Sequence, residues 1–303
     1  MKVFIYSLLF LISYNCRGQS PSLDISAIVF LDSFVVSASK QGFDVADFID
    51  LVQRDQSFYQ AFHNNRFQYF TAKNLIKVFD KKKKLKATYD FEVQQNMDGN
   101  CRTMDYLEEK VSGPFFKNKK TKKHRYYTAK MQEEVFLTKG KICGNPNSTL
   151  SNQVQAKGIQ KHINELKKLI FQPGEQVDVP FIGKKTAIFD KKMLRYYDFY
   201  IESKPYKNQG ICYIFKAIAK SSYPSSKTII KYLETYFDKT NFQVVARNYH
   251  LHYKGIFDFD VKMNVELDQL EGKYLPSYIH YKGSWKIPMK KRENVTFQIN
   301  YEY

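Results

Sequence analysis

The chain has 303 residues, of which 43% are hydrophobic, 26% charged and 16% aromatic, and its formal net charge is +18. This hydrophobic content excludes an intrinsically disordered chain, and the length is sufficient for a substantial core in one or two domains. The aromatic residues are mainly phenylalanine and tyrosine, which favour strands and supply surface for packing or for apolar ligands.

The first 18 residues are typical of a secretory signal peptide. Lys2 gives the positive start, and Val3–Ile12 is an apolar core too short to span a bilayer, which needs about 20 residues. We expect cleavage after Gly18 and export to the periplasm or an outer-membrane-associated location. The alternative is that Cys16 becomes a lipid-modified N-terminus. No later segment predicts a transmembrane helix.

The net charge constrains the partners of the exported protein. Loss of Lys2 and Arg17 with the signal peptide lowers the charge from +18 to +16. Export argues against a nucleic acid partner, so anionic lipid headgroups, lipopolysaccharide or an envelope protein are the expected partners of a basic face. The alternative interpretation is that the lysines only keep hairpin tips soluble and sheet edges unpaired.

The first half of the chain predicts a strand within Leu23–Lys40, then two short amphipathic helices over Asp44–Arg54 and Gln56–Asn64. Further strands are predicted over Phe67–Phe70, Leu75–Phe79, Ala87–Gln95, Arg102–Val111, Arg125–Gln132 and Val135–Lys139. The two densest basic runs, Lys81–Lys84 with Lys86 and Lys117–Arg125, lie between these strands. We therefore expect them at hairpin tips.

Three cysteines remain after removal of the signal peptide, and an exported compartment permits disulfides. Cys101 follows the turn-like Asp98-Gly99-Asn100, and Cys143 precedes Gly144-Asn145-Pro146. Both cysteines lie at the ends of strand-like runs, so we expect a Cys101–Cys143 disulfide. Cys212 alternates with Tyr213 inside a predicted strand and is expected to be a buried thiol.

The second half predicts one helix followed by a meander of antiparallel strands. Apolar residues at i, i+4, i+7 and i+11 predict a helix within Asn147–Phe171, ended by Pro173-Gly174. Short turn-like connections then separate seven predicted strands: Tyr196–Glu202, Ile211–Ala219, Thr228–Phe237, Phe242–Tyr253, Ile256–Leu267, Tyr274–Tyr281 and Val295–Glu302. Pro276 and Pro288 indicate bulges or strand edges.

The strand Ile256–Leu267 has the clearest one-sided pattern. Its apolar side carries Phe257, Phe259, Val261, Met263 and Val265, whereas Asp258 and Asp260 belong to the polar side. The five apolar residues are interpreted either as protein core or as the lining of a ligand site. We expect residues 19–303 to form a single α+β domain, with two short helices and basic hairpins in 19–146 and a helix plus meander in 147–303. Its expected fold is a curved, half-barrel-like antiparallel sheet with a few helices covering the concave face.

Two stretches resemble a known family. Thr235-Tyr236-Phe237-Asp238-Lys239-Thr240-Asn241-Phe242-Gln243-Val244-Val245 is a strand, an Asp-Lys turn and a strand, and Gly272-Lys273-Tyr274-Leu275-Pro276-Ser277 opens the next strand with Leu-Pro. Both are similar to the half-barrel of periplasmic lipoprotein-sorting carriers, and the resemblance covers about the last 110 residues. It implies a concave face that binds acyl chains. The stretches Asp32–Val36 and Gly42–Val45 also resemble exported envelope proteins of Gram-negative bacteria.

The candidate chemistry is limited to one pair of histidines. His250 and His252 lie two residues apart and so share one face of a strand, with Asp258 and Asp260 on the next strand as further metal ligands. The alternative is that all four are solvated side chains. Paired carboxylates for glycoside hydrolysis are available in Glu108, Glu109, Glu133 and Glu134, but their positions indicate exposed strand or turn residues. The usual serine-hydrolase, zinc-protease and phosphate-loop motifs are missing from the sequence, so we expect no cofactor and no catalytic residue.

These observations favour an exported, non-enzymatic envelope protein that binds a lipid or other amphiphile in a helix-covered half-barrel. The alternative is a structural or accessory envelope protein whose basic face binds lipopolysaccharide or a protein partner. A third hypothesis is a metal-assisted hydrolase centred on His250 and His252.

Overall fold

The computed structural model describes residues 45–144, 159–255, 258–287 and 290–303. The signal peptide with Cys16, the strand predicted within Leu23–Lys40, the first part of the helix predicted from Asn147, Phe257 and Pro288 lie outside the described residues.

The described residues form an eleven-stranded antiparallel sheet that is curved and not closed, so the expected fold class is confirmed. The strand order across the sheet is β6-β3-β2-β1-β13-β12-β11-β10-β9-β8-β7. These strands are β1 Phe70–Phe79, β2 Leu85–Asp98, β3 Cys101–Ser112, β6 Ile142–Cys143, β7 Tyr197–Pro205, β8 Ile211–Ala219, β9 Ile230–Asp238, β10 Val244–Tyr253, β11 Asp258–Leu270, β12 Lys273–Lys286 and β13 Glu293–Glu302. A separate small hairpin consists of β4 Phe116–Asn118 and β5 Lys123–His124.

The meander and the N-terminal strands belong to one continuous sheet because the last strand returns to the first. β13 pairs with β12 on one side and with β1 on the other, where Thr71 lies opposite Glu302 and Phe79 lies opposite Asn294. This long-range pairing joins residues more than 200 positions apart, and it places the hairpin of β1 and β2 beside the C-terminal strands.

Alternation along the strands gives the sheet an apolar face, here called the inner face. In β11 the side chains of Phe259, Val261, Met263 and Val265 are buried in the core, whereas the intervening residues are partly or fully exposed. The same alternation runs along β13. Pro276 adjoins a bulge, because Glu266 pairs with Tyr278 while the next residue, Leu267, pairs with Pro276. A bulge at this point was one of the two expectations for that proline.

Within the described ranges, four helices of nine or more residues cover or border the inner face, and a short helix precedes β7. They are α1 Val45–Arg54, α2 Ser57–Asn65, α3 Tyr127–Phe136, α4 Ile159–Phe171 and the short α5 Lys191–Leu194. The predicted helices over Asp44–Arg54 and Gln56–Asn64 correspond to α1 and α2. Among the described residues, none of these helices is long and apolar enough to cross a membrane.

Two of the predicted strands, Arg125–Gln132 and Val135–Lys139, were wrong, because helix α3 occupies most of this segment. Their tyrosine, threonine, valine and phenylalanine residues are typical of strands, but the structure winds them into one helix. Thr128, Met131 and Gln132 lie at helical spacing and are buried. The Nε2 of Gln132 donates a hydrogen bond of 3.0 Å to Oδ1 of Asn74 on β1. Contact with the sheet therefore outweighed the local strand preference.

The predicted strands Phe67–Phe70 and Leu75–Phe79 are in fact one strand, β1, which starts at Phe70. The run Lys81–Lys84 forms the turn between β1 and β2, and Lys117–Arg125 spans the small hairpin of β4 and β5. The run Lys81–Lys84 thus occupies a hairpin turn, as the sequence predicts. The run Lys117–Arg125 does not connect the two strands predicted around it, because the second of them is helix α3. At the far edge of the sheet, Cys101 pairs with Cys143 across β3 and β6, and the two are joined by a disulfide.

Candidate functional site

An apolar cavity lies where α3 and α4 pack on the inner face. Its volume is about 20 Å³, which is roughly the space that one water molecule needs. Helix α3 contributes Tyr127 and Met131, and α4 contributes Leu166, Leu169 and Ile170. The sheet side consists of Tyr249, Leu251, Phe259, Val261, Tyr281 and Trp285. The cavity is thus a seam between two helices and three neighbouring strands.

Of the five residues predicted to line a ligand site, two line this cavity and two lie in the core around it. Phe259 and Val261 line the cavity, and both are buried. Met263 and Val265 belong to the surrounding core, where the sulfur of Met263 accepts a hydrogen bond of 2.8 Å from the Tyr249 hydroxyl. Phe257 lies outside the described residues. The helical half of the lining was missed as a ligand surface, although the spacing of Leu166 and Ile170 did predict that their helix covers the sheet.

Three aromatic side chains in the wall of this seam carry polar groups: Tyr249, Tyr281 and Trp285. The Tyr249 hydroxyl lies 3.0 Å from the backbone oxygen of Ile170 and so contacts α4 from the sheet. Trp285, the single tryptophan of the chain, donates its indole N–H to the Tyr281 hydroxyl and packs against Phe259 with ring centroids 4.9 Å apart. The single tryptophan fluorophore of the chain therefore stands in the wall of the seam.

A much larger basic cleft adjoins the apolar cavity. Its volume is about 1340 Å³, beyond the usual range of roughly 300–1,000 Å³ for small-molecule sites. The described residues lining it include eleven lysines and arginines but only three carboxylates, Asp80, Glu133 and Glu293. The cations are Lys81, Lys86, Lys117, Lys122, Lys123, Arg125, Lys130, Lys139, Lys290, Lys291 and Arg292. We call this surface the basic cleft.

Three separate parts of the sequence meet in the basic cleft: the turn between β1 and β2, the hairpin of β4 and β5 with the start of α3, and the connection from β12 to β13. The sequence identified the first two as basic runs but gave no sign that they converge. The third run, Lys290-Lys291-Arg292, was missed, although three consecutive cations in a connection were a usable signal.

Helix α3 begins in the wall of the basic cleft and is capped from the sheet. The carboxylate of Glu293 on β13 accepts hydrogen bonds from the backbone N–H groups of Tyr127, at 2.8 Å, and Thr128, at 3.0 Å. A carboxylate at this position satisfies donors that a helix leaves unpaired and complements its dipole. Glu293 therefore fixes the first turn of α3 to the sheet, next to both cavities.

The carboxylates of the cleft accept hydrogen bonds from neighbouring residues of the protein. Burial opposes ionisation of Glu133, but hydrogen bonds from His124 and Lys139 outweigh it and lower the pKa of that carboxyl. Asp80 accepts the backbone N–H groups of Lys82, at 2.8 Å, and Lys84, at 2.9 Å. The field of the cleft is strongly positive because eleven cations outnumber the three carboxylates.

The two histidines proposed as metal ligands share one carboxylate. His250 Nε2 lies 2.9 Å from Asp260 Oδ1, and His252 Nδ1 lies 3.4 Å from Asp260 Oδ2. Asp258 is not part of this group, since it pairs with Arg292. Burial lowers the pKa of His250, partly offset by Asp260. No group of three or more histidines, cysteines or acids suited to a metal ion occurs in the described part of the chain.

Comparisons with known proteins give a fold likeness only. No family model matches the chain, and no curated protein does. A domain assigned as an outer membrane lipoprotein-sorting protein from Vibrio parahaemolyticus is similar at 8% identity, with 80% of this chain and 87% of that chain covered and a TM-score of 0.26. A LolA superfamily protein from Nitrosomonas europaea is similar at 10% identity, over 82% and 91% of the two chains, with a TM-score of 0.24.

Proposed function

We propose that this chain is an exported, non-enzymatic protein that binds the acyl part of an amphiphile between its helices and the inner face of the sheet. The observation that carries the proposal is the apolar cavity at the seam of α3, α4 and the sheet. It is lined by eleven residues, and each of them is aliphatic, aromatic or methionine. A lining of this composition suits a hydrocarbon chain and lacks the charged groups that would recognise a polar small molecule.

The cavity volume of about 20 Å³ means that a chain enters only when the seam widens. The side chains that would withdraw are on α4, since Leu166, Leu169 and Ile170 fill the space above Phe259 and Val261. Displacing them exposes apolar surface, which an acyl chain covers again because apolar burial is favourable for any hydrocarbon. Binding and the opening of the seam are therefore coupled.

Fluorescence of Trp285 tests this proposal directly. We expect an uncharged amphiphile with a brominated acyl chain to quench Trp285, because the indole stands in the cavity wall. Filling the seam with Leu166→Phe should weaken binding about tenfold, in keeping with the roughly 1–3 kcal/mol cost of overpacking. Leu194→Phe is the matched control, since Leu194 is also a helical leucine with 6% exposure but does not line the cavity. Quenching that is missing in the wild-type protein, or equal loss of binding in both variants, would contradict the proposal.

A further inference from the structure

We propose that the basic cleft binds a lipid headgroup carrying two or more phosphates, whose acyl chain enters the adjoining apolar cavity. This inference rests on the proposed function and adds the chemical class of the headgroup. The ligand is thus an anionic amphiphile held at both ends, by charge in the cleft and by apolar burial in the seam.

The first support is the number of cations in the cleft that have no carboxylate to pair with. Lys122, Lys130, Lys139 and Arg292 each pair with a nearby carboxylate. Among the described residues, no carboxylate forms an ion pair with the other seven cations: Lys81, Lys86, Lys117, Lys123, Arg125, Lys290 and Lys291. Like charges gathered around one concave volume repel each other and raise the local concentration of anions, so a bound polyanion relieves the repulsion.

The second support is the distribution of these seven cations. Lys81 and Lys86 flank the turn between β1 and β2, whereas Lys117, Lys123 and Arg125 lie in the hairpin of β4 and β5 or directly after it. Lys290 and Lys291 lie on the connection to β13, across the cleft. Lysine binds phosphate as a point charge. Cations on three elements around about 1340 Å³ therefore suit several separated phosphates better than a single small anion.

A buried hydroxyl provides a third, independent support. Tyr126, the residue before α3, lines the cleft and is only 7% exposed. Its hydroxyl is buried and has no hydrogen-bond partner among the described residues. A buried hydroxyl without a hydrogen-bond partner lowers the stability of the folded protein. A phosphate oxygen bound in the cleft would accept a hydrogen bond from it.

The shared wall of the two cavities makes a lipid the favoured source of the phosphates. Tyr127 lines both the basic cleft and the apolar cavity, and Lys290 Nζ lies 5.3 Å from the centre of its ring. A headgroup bound by the cations is thus one aromatic ring away from the apolar seam. A free phosphate compound would use the cleft but would have no reason to reach the seam.

The test uses the whole chain and vesicles of phosphatidylcholine. These vesicles contain either an acylated glucosamine disaccharide with two phosphates or its one-phosphate analogue with the same acyl chains. Co-flotation measures binding, and Trp285 emission measures contact with the seam. We expect binding that is about tenfold tighter for the two-phosphate lipid, since one further charge-assisted contact is worth roughly one power of ten.

Two triple variants with the same change in charge make the comparison specific. Lys117→Gln/Lys123→Gln/Lys291→Gln removes three exposed, unpaired cations of the cleft and should lower the affinity for the two-phosphate lipid about tenfold or more. The control is Lys191→Gln/Lys227→Gln/Lys273→Gln, whose residues are also exposed but lie outside the cleft. It should retain the affinity of the wild-type protein. Equal losses in both variants would show general charge attraction and overturn the inference.

The remaining outcomes separate this inference from the proposed function. Inorganic pyrophosphate that binds as tightly as the vesicles, without a change in Trp285 emission, would assign the cleft to free phosphate compounds and refute the lipid headgroup. Quenching by the uncharged brominated amphiphile, with no gain from the phosphates, would leave the proposed function standing and refute this inference. Binding of the phosphorylated vesicles through the cleft without quenching by brominated chains would refute the proposed function and the acyl placement.

Discussion

Glu293 on the last strand of the sheet is joined to Thr128, which lies 165 residues earlier in helix α3, through a carboxylate that accepts the Thr128 backbone N–H at 3.0 Å. The other oxygen of the same carboxylate accepts the N–H of Tyr127. Tyr127 in turn lines both the apolar cavity and the basic cleft. The position of α3 relative to both surfaces therefore depends on one acidic side chain.

Removal of this cap should loosen α3 more than it loosens the sheet. We expect Glu293→Ala to lower the free energy of unfolding by about 1–2 kcal/mol, the usual cost of losing a helix cap. Amide exchange at Tyr127 and Thr128 should accelerate, while β11 keeps its protection. Glu302→Ala is the control, because that carboxylate lies on the same strand and forms an exposed ion pair with Lys73. An equal loss of stability in the two variants would contradict a special role for Glu293.

The disulfide between Cys101 and Cys143 should stabilise the part of the chain that carries the basic hairpin and α3. Its two cysteines are 42 positions apart, and the chain-entropy model gives roughly 4 kcal/mol for a loop of this size. We expect Cys101→Ser/Cys143→Ser to lower the free energy of unfolding in urea by up to about this amount. Reducing agent should lower the stability of the wild-type protein similarly and leave the double variant unchanged. A double variant that still responds to reductant would contradict this assignment.

Removing only one partner of the buried ion pair between Arg247 and Asp55 should lower the stability of the protein strongly. Their side chains are 9% and 8% exposed, with Arg247 Nη2 and Asp55 Oδ2 3.8 Å apart, and the guanidinium lies over the ring of Phe58. Burial lowers the pKa of Arg247 to about 10, and Asp55 partly offsets this. Asp55→Ala leaves the buried guanidinium without its partner, so we expect a loss of about 3–5 kcal/mol.

The matched tests for this pair are a double variant and a surface pair. Asp55→Ala/Arg247→Met should recover much of the loss, because the second change removes the uncompensated charge. Asp50→Ala breaks the exposed pair of Asp50 and Arg54 on α1 and should cost about 0.5 kcal/mol or less. Urea unfolding of the wild-type protein, Asp55→Ala, Arg247→Met and the double variant provides the double-mutant cycle. Full additivity of the Asp55 and Arg247 changes would show that the two side chains are not coupled.

Lys231 should make stability depend on pH in the alkaline range. Burial, with a smaller contribution from Lys185, lowers the pKa of Lys231 to about 8. In the unfolded chain a lysine titrates near 10.4, so between these values the unfolded state binds more protons than the folded state. The contribution of Lys231 to stability therefore rises as the pH increases from about 8 to about 10.4. The difference in unfolding free energy between the wild-type protein and Lys231→Met should shift in favour of the wild type across that window, and a constant difference would contradict the lowered pKa.

Acylation at neutral to mildly alkaline pH gives a second measurement of the same property. Only the uncharged amine reacts, so Lys231 should be modified faster than lysines with ordinary or raised pKa values. Lys73 is the comparison, since its hydrogen bond to Glu302 raises its pKa. Mass spectrometry of the peptides follows the two rates from neutral to alkaline pH: the rate at Lys231 should level off near pH 8, and a rate that keeps rising with pH like that of Lys73 would refute the prediction.

Strand alternation was the part of the fold that the sequence could predict. The pattern along β11 and β13 is local, because successive side chains of a strand point to opposite faces, and the structure follows it residue by residue. The helical spacing around α2 was equally local. By contrast, the composition of Tyr127–Phe136 favours a strand, and only its packing against β1 and Glu293 makes it a helix. The strand propensity of a short segment is weak, and tertiary contacts override it here.

The location of the candidate site depended on tertiary structure far more than the sheet and helices did. The sequence alone determined an alternating antiparallel sheet, short helices to cover it, and a strongly basic chain with its densest charges in turns. Only the return of β13 to β1 placed the cations of residues 81–86, 117–125 and 290–292 around one cleft beside an apolar seam. Residues more than 200 positions apart leave no periodic trace of their contact, since pairing between distant strands is selected by the packing of the whole sheet rather than by any one segment.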